Sequence, residues 1–157
     1  MKLYAPSTIE AIKEKHRFQL SKSLGQNFIT DKNVIERIVE GAGPTEDDLV
    51  IEIGPGIGVL TAEAAQQAAK VVAIEIDSKL IPILDETLAE YDNVEVINQD
   101  ILKTDLNGIM REKVSERYID PNRPMVALTY DEVRGMPVRR GSWTVWNRTM
   151  HMLLSLC

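Results

Sequence analysis

The stretch that decides the fold is IEIGPGIG, residues 51–58. An apolar run containing one acid, Glu52, ends in three glycines at alternate positions, Gly54, Gly56 and Gly58. Apolar, β-branched residues closed by glycine predict a buried strand followed by a tight turn. Because a Cβ atom would collide with a ligand lying against the backbone, we expect these glycines to make room for a cofactor.

Outward from this turn, strand and helix patterns alternate. Helices are predicted at 30–43, 59–70, 78–91 and 106–118, and strands at 48–54, 70–77, 93–100 and 125–130. Such alternation indicates βαβ units with right-handed crossovers and a parallel sheet. The predicted fold class is therefore α/β, a Rossmann-like parallel sheet that binds its ligands at the carboxyl ends of the strands.

The glycine spacing and three acids favour one cofactor over another. The dinucleotide fingerprint is G-x-G-x-x-G, with the pyrophosphate at the following helix, but here the third glycine comes one residue early. Glu52, Glu75 and Asp100 fall at the ends of three successive predicted strands, where carboxylates can accept from ribose hydroxyls and an adenine amino group. Asp77 is interpreted instead as the N-cap of the next helix. The pattern predicts an adenosine site without a pyrophosphate, which describes S-adenosylmethionine. A nicotinamide-dependent oxidoreductase is the less favoured alternative.

Bulk composition excludes several classes of protein. The chain is 44% hydrophobic and 27% charged, as in an ordinary soluble globular domain. No apolar run approaches the roughly 20 residues that span a bilayer, and the N-terminus lacks a signal peptide's apolar region. The single cysteine, Cys157, allows no disulfide within the chain. His16 and His151 have no ligand-like neighbours, so no metal site is expected. We expect a cytoplasmic protein without a membrane segment.

The net charge of −6 is unevenly distributed. Residues 1–30 carry five Lys and Arg against two Asp and Glu, whereas residues 31–119 carry eight against nineteen. This asymmetry predicts a basic N-terminal arm that can meet RNA phosphates, the alternative being a solvated helix. The candidate RNA contacts are Lys13, Lys15, Arg17 and Lys22.

Four motifs resemble the KsgA/Erm family of rRNA adenine N6-methyltransferases. They are SLGQNFITDKNVIERIV (23–39), VIEIGPGIGVLT (50–61), VVAIEID (71–77) and VINQDILKTDL (96–106). The likeness is closest to the bacterial 16S rRNA adenine dimethyltransferases and covers about residues 10–118. It implies a class I methyltransferase domain that uses S-adenosylmethionine to dimethylate adenines of small-subunit rRNA, on the rRNA or a pre-ribosomal subunit, during ribosome maturation. A small helical domain would follow and help to hold the rRNA.

The resemblance also implies roles for single residues. Asn27 and Ile29 would line the methionine end of the cofactor, with Gln26 beside them. Gly54 would lie against the cofactor and Glu75 would bind its ribose. Asp100 would hold the adenine amino group, and Ile101 would pack on the adenine ring.

The fourth predicted strand departs from the family. There the family carries N-[LI]-P-[YF], whose asparagine side chain and backbone carbonyl accept the hydrogens of the target adenine amine while the aromatic ring stacks on the flipped base. In MVALTY (125–130) the asparagine is missing, and Leu128, Thr129 and Tyr130 are a remnant of the motif. The rival NRPM (122–125) lacks the aromatic residue. No catalytic residue is therefore assigned.

Beyond residue 130 the sequence no longer resembles the family. We therefore expect three segments: a basic arm (1–30), the N-terminal part of a methyltransferase domain (31–130), and a divergent tail (131–157), disordered or frame-shifted. The sheet would be incomplete after strand 4 and the helical domain absent, as in a truncated reading of a longer gene. Two functions stay open, an rRNA adenine dimethyltransferase and an S-adenosylmethionine-binding fragment without turnover.

Overall fold

The computed structural model describes residues 2–19, 28–116 and 126–129. Along the chain these ranges form α1 (Pro6–Lys15), α2 (Lys32–Ala42), β1 (Leu49–Ile53), α3 (Val59–Ala65), β2 (Lys70–Glu75), α4 (Ile81–Thr87), β3 (Val94–Asn98), a 3₁₀ turn (Ile101–Lys103), α5 (Leu106–Glu116) and β4 (Val126–Thr129). The predicted tail, 131–157, lies outside the described residues.

The four described strands form one parallel sheet in the order β3-β2-β1-β4. The α/β fold class expected from the sequence is therefore confirmed. β1 lies between β2 and β4, so the strand order reverses at β1. In such sheets the crevice beyond the carboxyl end of that strand is where ligands bind.

Helices cover both faces of the sheet, which is why the strands are almost continuously apolar. The larger buried cluster includes Val50 of β1 and Val71 of β2 together with residues of α1 to α4. The smaller one contains Leu49, Ile51, Val72 and Ile74, on which Leu106, Ile109 and Met110 of α5 pack. Alternate residues of β1 thus face opposite sides, as the two-residue period of a strand requires.

The basic N-terminal segment packs into the domain core through its apolar residues. Ile9 and Ile12 of α1 are buried in the larger cluster with Leu3 and Phe18. On its charged side, Glu86 of α4 accepts hydrogen bonds from Lys15 Nζ at 2.6 Å and pairs with His16 Nε2 at 2.8 Å. α1 is therefore docked against α4 by both apolar packing and ion pairs.

Local capping agrees with the sequence at α2 but not at α4. As predicted, Asp31 caps α2, accepting from Asn33 N at 2.9 Å, and Gly43 ends it in the left-handed conformation. Asp77 is not the N-cap of α4, because that helix begins only at Ile81 with Leu80 as its N-cap. The Asp77 carboxylate instead accepts from Lys79 N at 3.0 Å in the preceding turn. Pro82 explains the late start, since proline is best accommodated in the first turn of a helix.

Helix α3 is shorter than the predicted 59–70 because another side chain ends it. Asn93, just before β3, donates from Nδ2 to Ala65 O at 2.9 Å and to Ala68 O at 3.0 Å. These carbonyls lie at the end of α3 and in the turn after it. Among the described ranges, no helix is both long and apolar enough to cross a membrane.

Gly58 is required by packing within the protein. Its φ is +86°, and a Cβ built on it would lie 2.9 Å from Leu88 Cδ2 and 3.1 Å from Leu88 Cγ. The sequence interpretation reserved this space for a ligand, and that role of Gly58 stays a prediction, to which the structure adds a packing reason for the glycine. Here the neighbour is the end of α4, and the missing side chain lets the glycine turn pack on it.

Gly58→Ala is expected to lower the free energy of unfolding by roughly 1–3 kcal/mol, through left-handed strain and overpacking against Leu88. Urea denaturation measures the change. Gly41→Ala, at an exposed position inside α2, is the matched control and should raise stability by about 0.5–1 kcal/mol, since alanine favours helix. Equal effects of the two substitutions would contradict this explanation of Gly58.

Candidate functional site

The candidate site lies at the carboxyl end of β1, where the chain turns into α3. Gly54 N donates to Ile74 O of β2 at 3.0 Å, and Gly58 N donates to Pro55 O at 2.8 Å, which closes the turn. A cleft opens there, lined by residues of β1, the glycine turn, α3 and the segment before α2. Its lining residues are Phe28, Ile29, Glu52, Gly54, Pro55, Gly56, Ile57, Val59 and Leu60.

The structure brings Ile29 together with the glycine turn, as the sequence motifs implied. Ile29 is buried and lines the cleft beside Gly54 and Gly56. Gln26 and Asn27, assigned to the same end of the cofactor, lie outside the described residues. Their roles stay predictions.

Glu52 is a buried acid at the bottom of this cleft. It is the penultimate residue of β1 and is 1% exposed. Its Oε2 accepts from Thr61 Oγ1 of α3 at 2.6 Å. Burial raises the pKa of Glu52 to about 7, the Thr61 hydrogen bond opposes this rise, and the charge of Glu75 adds to it. Glu52 therefore changes charge near neutral pH, in a place where a cation would favour its ionised form.

Glu75 ends β2 beside the glycine turn. Its Oε1 accepts from Asp77 N at 2.8 Å. Burial raises the pKa of Glu75, although the backbone N–H groups of Asp77, Gly56 and Ile76 oppose the rise. Asp77 N thus orients the carboxylate at the end of β2, and two oxygens offer more acceptor sites than this bond uses.

Asp100 and Ile101 follow β3 at the same edge of the sheet. Asp100 Oδ1 accepts from Leu102 N at 3.0 Å and so caps the 3₁₀ turn, while Oδ2 lies 4.0 Å from Lys103 Nζ. Ile101 is partly buried and packs against the smaller apolar cluster. Asp100 therefore has a local structural role besides the adenine contact that the resemblance implies.

The remnant of the catalytic motif ends beside the glycine turn. β4 pairs with β1 in a register that sets Leu128 opposite Glu52 and Thr129 opposite Ile53. The end of the fourth strand therefore reaches the same crevice as the turn that follows β1. Tyr130 lies outside the described residues.

Two of the proposed RNA contacts, Lys13 and Lys15, already have carboxylate partners within the protein. Lys13 Nζ lies 2.7 Å from Glu10 Oε1, and Lys15 is paired with Glu86. Arg17 is exposed and has a φ of +49°, a left-handed conformation unusual for a residue other than glycine. Lys22 lies outside the described residues.

Sequence reasoning missed Phe28, Thr61 and Ile76. Phe28 lines the cleft, Thr61 binds Glu52, and Ile76 is 54% exposed beside Glu75. Phe28 stands inside SLGQNFITDKNVIERIV, Ile76 inside VVAIEID and Thr61 at the end of VIEIGPGIGVLT, so motif membership was a signal for all three. The link from Thr61 to Glu52 was not predictable from the motif, because it depends on how α3 packs on β1.

Comparisons with known proteins point to one family. A family model described as ribosomal RNA adenine dimethylase matches residues 17–130. The ribosomal RNA small subunit methyltransferase A of Alkaliphilus metalliredigens (strain QYMF) is 61% identical over 112 residues, 71% of this chain and 39% of that protein. The protein of the same name from Alkaliphilus oremlandii (strain OhILAs) is 50% identical over 118 residues, 75% of this chain and 41% of that protein.

A solved structure agrees with these matches. The 23S rRNA methyltransferase ErmE has a TM-score of 0.53 and 35% identity, covering 66% of this chain and 36% of that one. The chain spans about two fifths of the length of the curated relatives it matches.

The raised pKa of Glu52 predicts a pH-dependent stability. Between pH 4.5 and 7 the folded chain keeps a proton on Glu52 that the unfolded chain has lost. The contribution of Glu52 to the free energy of unfolding therefore falls as pH rises through this window. The loss is on the order of 3 kcal/mol, because each tenfold change in proton affinity is worth about 1.4 kcal/mol. The difference in free energy of unfolding between Glu52→Gln and the wild type, measured by urea denaturation, should therefore shift in favour of the variant when the pH is raised from 5.5 to 8.5.

Glu95→Gln is the control for this measurement. Burial alone would raise the pKa of Glu95, but Lys113 and Lys70 lower it below its usual value. This carboxylate is therefore ionised at both pH values, and its loss should change stability equally at both. If Glu52→Gln behaves like Glu95→Gln, Glu52 does not titrate as described.

Proposed function

The chain belongs to the ribosomal RNA adenine dimethylase family, and from this premise we propose that it carries the cofactor-binding part of an rRNA adenine N6,N6-dimethyltransferase. The family is one of S-adenosylmethionine-dependent rRNA methyltransferases. Its match goes against the nicotinamide-dependent oxidoreductase left as an alternative by the sequence. The proposed substrate is adenine in small-subunit rRNA, on the RNA itself or on a pre-ribosomal subunit.

The observation that carries the proposal is the buried Glu75 carboxylate at the end of β2, beside the glycine turn. A carboxylate oriented by a backbone N–H, here that of Asp77, suits the two hydroxyls of a ribose. The turn beside it holds Gly54 at a φ of +71° and Gly56 at +61°. The residues at this edge therefore fit an adenosine group.

The remaining acids and apolar residues support the same ligand. Glu52 supplies a negative charge beneath the cleft when ionised, which favours a cationic ligand. Asp100 stands at the end of β3, where it would accept from the adenine amino group, and Ile29 would line the methionine end with Gln26 and Asn27. S-adenosylmethionine, when bound, supplies a methyl group activated by its sulfonium. The residues of this chain would orient it.

Binding without turnover is the second candidate function. It is favoured by β4, which reaches the crevice but carries Leu128 and Thr129 without the family's asparagine. The missing side chain would have accepted a hydrogen of the target amine, which is a poor nucleophile because its lone pair is delocalised into the ring. The two candidates share the cofactor site and differ only in methyl transfer to rRNA.

Arg17 is the strongest of the proposed RNA contacts. Lys13 and Lys15 already have carboxylate partners, so RNA would have to compete with Glu10 and Glu86 for them. Arg17 is exposed and occupies the left-handed position that ends α1, where glycine is usual. A charged residue kept at a strained surface position is consistent with a function for its side chain.

Isothermal titration with S-adenosylhomocysteine tests the cofactor site. The wild-type chain should bind saturably, and Glu75→Ala should weaken binding by about tenfold or more, equivalent to at least 1.4 kcal/mol for lost bonds to a charged acceptor. Glu46→Ala removes an exposed acid in the loop before β1 and should leave binding unchanged. No binding by folded wild-type chain would overturn the proposal.

Arg17→Gly separates RNA binding from stability. It should raise the free energy of unfolding by up to about 1 kcal/mol, because glycine adopts the left-handed conformation without strain. Fluorescence anisotropy with a labelled fragment of small-subunit rRNA should show weaker binding and a salt slope lower by about 1, as expected for one lost phosphate contact. Arg111→Ala, an exposed arginine of α5, serves as control. Unchanged RNA affinity in Arg17→Gly would exclude this contact.

A further inference from the structure

The Phe28 ring lies between the N-terminal segment and the glycine turn. Its centroid is 6.3 Å from that of Phe18, with 30° between the ring planes. On its other side, a Cβ built on Gly56 would lie 3.4 Å from Phe28 Cε1 and 3.5 Å from Cδ1. The ring therefore lies beside the glycine turn at Gly56, and both residues line the cleft.

Phe18 gives this ring a rigid support. It is 6% exposed in the larger apolar cluster. The end of α1 fixes its position, because Phe18 N donates to Lys13 O at 2.9 Å and Arg17 N donates to Glu14 O at 3.2 Å. These two bonds and the left-handed backbone of Arg17 form a Schellman motif, which redirects the chain in a defined geometry.

The Phe28 ring is the neighbour that a side chain at position 56 would meet. A methyl group there would be in van der Waals contact with the ring. A missing ring would leave the turn without this neighbour. The position of Phe28 therefore bears on the backbone of a single glycine in the turn.

We propose that Phe28, supported by Phe18, is a positioning residue that holds the glycine turn at Gly56 and so preorganises the cleft for the adenosine part of the cofactor. The inference rests on the proposed function for its ligand. A preorganised turn avoids the ordering cost that a loose turn would incur on binding. Phe28 acts through Gly56 and need not touch the reacting methyl group.

The first test is the affinity of S-adenosylhomocysteine measured by isothermal titration in ring variants. Phe28→Leu should weaken binding by about tenfold, and Phe28→Tyr, which keeps the ring, should stay within about threefold of the wild type. Val39→Ala is the matched control. It removes volume from the same apolar cluster on α2, so it should lower stability without changing the affinity of the folded chain.

Gly56→Ala approaches the same contact from the other side. Alone it should weaken binding, because the backbone φ is +61° and the added methyl would come into contact with the Phe28 ring. In the Phe28→Leu background its additional effect should differ, since the ring that the methyl would touch is gone. This double-mutant cycle keeps the inference testable should Phe28→Leu fold poorly.

A second readout needs no ligand. Amide hydrogen exchange of Gly56, followed by NMR, should be about tenfold faster in Phe28→Leu than in Val39→Ala. The comparison is made under conditions in which other core amides exchange at the same rate in the two variants. Additive effects in the cycle, or equal affinity in Phe28→Leu and wild type, would overturn the inference while leaving the proposed function standing. Absence of binding by the wild type would overturn the proposed function, and this inference with it.

Discussion

The turn from β1 into α3 constrains everything around it, because three of its five residues have left-handed backbone. Gly54, Gly56 and Gly58 have φ values of +71°, +61° and +86°. With no side chains there, Leu88, the C-cap of α4, lies close beside Gly58, and the Phe28 ring lies beside Gly56. A single conformational requirement thus sets the approach of a helix end and one wall of the cleft.

The electrostatics of the domain separate acids that support structure from acids that gather at the cleft. Glu86 is exposed and holds α1 to α4, and hydrogen bonds from Lys15 and His16 lower its pKa. Glu52 and Glu75 are buried at the carboxyl edge of the sheet, where burial raises both pKa values. Burying two acids at one edge opposes folding, and the cationic ligand proposed for this site would offset that cost.

Much of the fold followed from local patterns, and the exceptions have identifiable causes. The strands, their parallel arrangement and the caps of α2 at Asp31 and Gly43 agree with the sequence prediction. Asp77 failed as a cap because Pro82 moves the start of α4 along the chain. α3 ended early where Asn93, from a distant segment, binds the carbonyl of its last residue and one in the turn after it. The first error thus came from a proline within the predicted helix, and the second from a contact with another part of the chain.

The sequence by itself determined the fold class and the family, because strand and helix periodicities and short motifs are properties of contiguous residues. It also marked Glu75, Asp100 and the three glycines as a group, since strand ends meet at one edge of a parallel sheet. Only the tertiary structure decided that Thr61 binds Glu52, that Phe18 supports Phe28 and that Phe28 lies beside Gly56. Those contacts join different elements of the chain, and their geometry depends on how helices and turns pack on the sheet, which side-chain spacing alone does not encode.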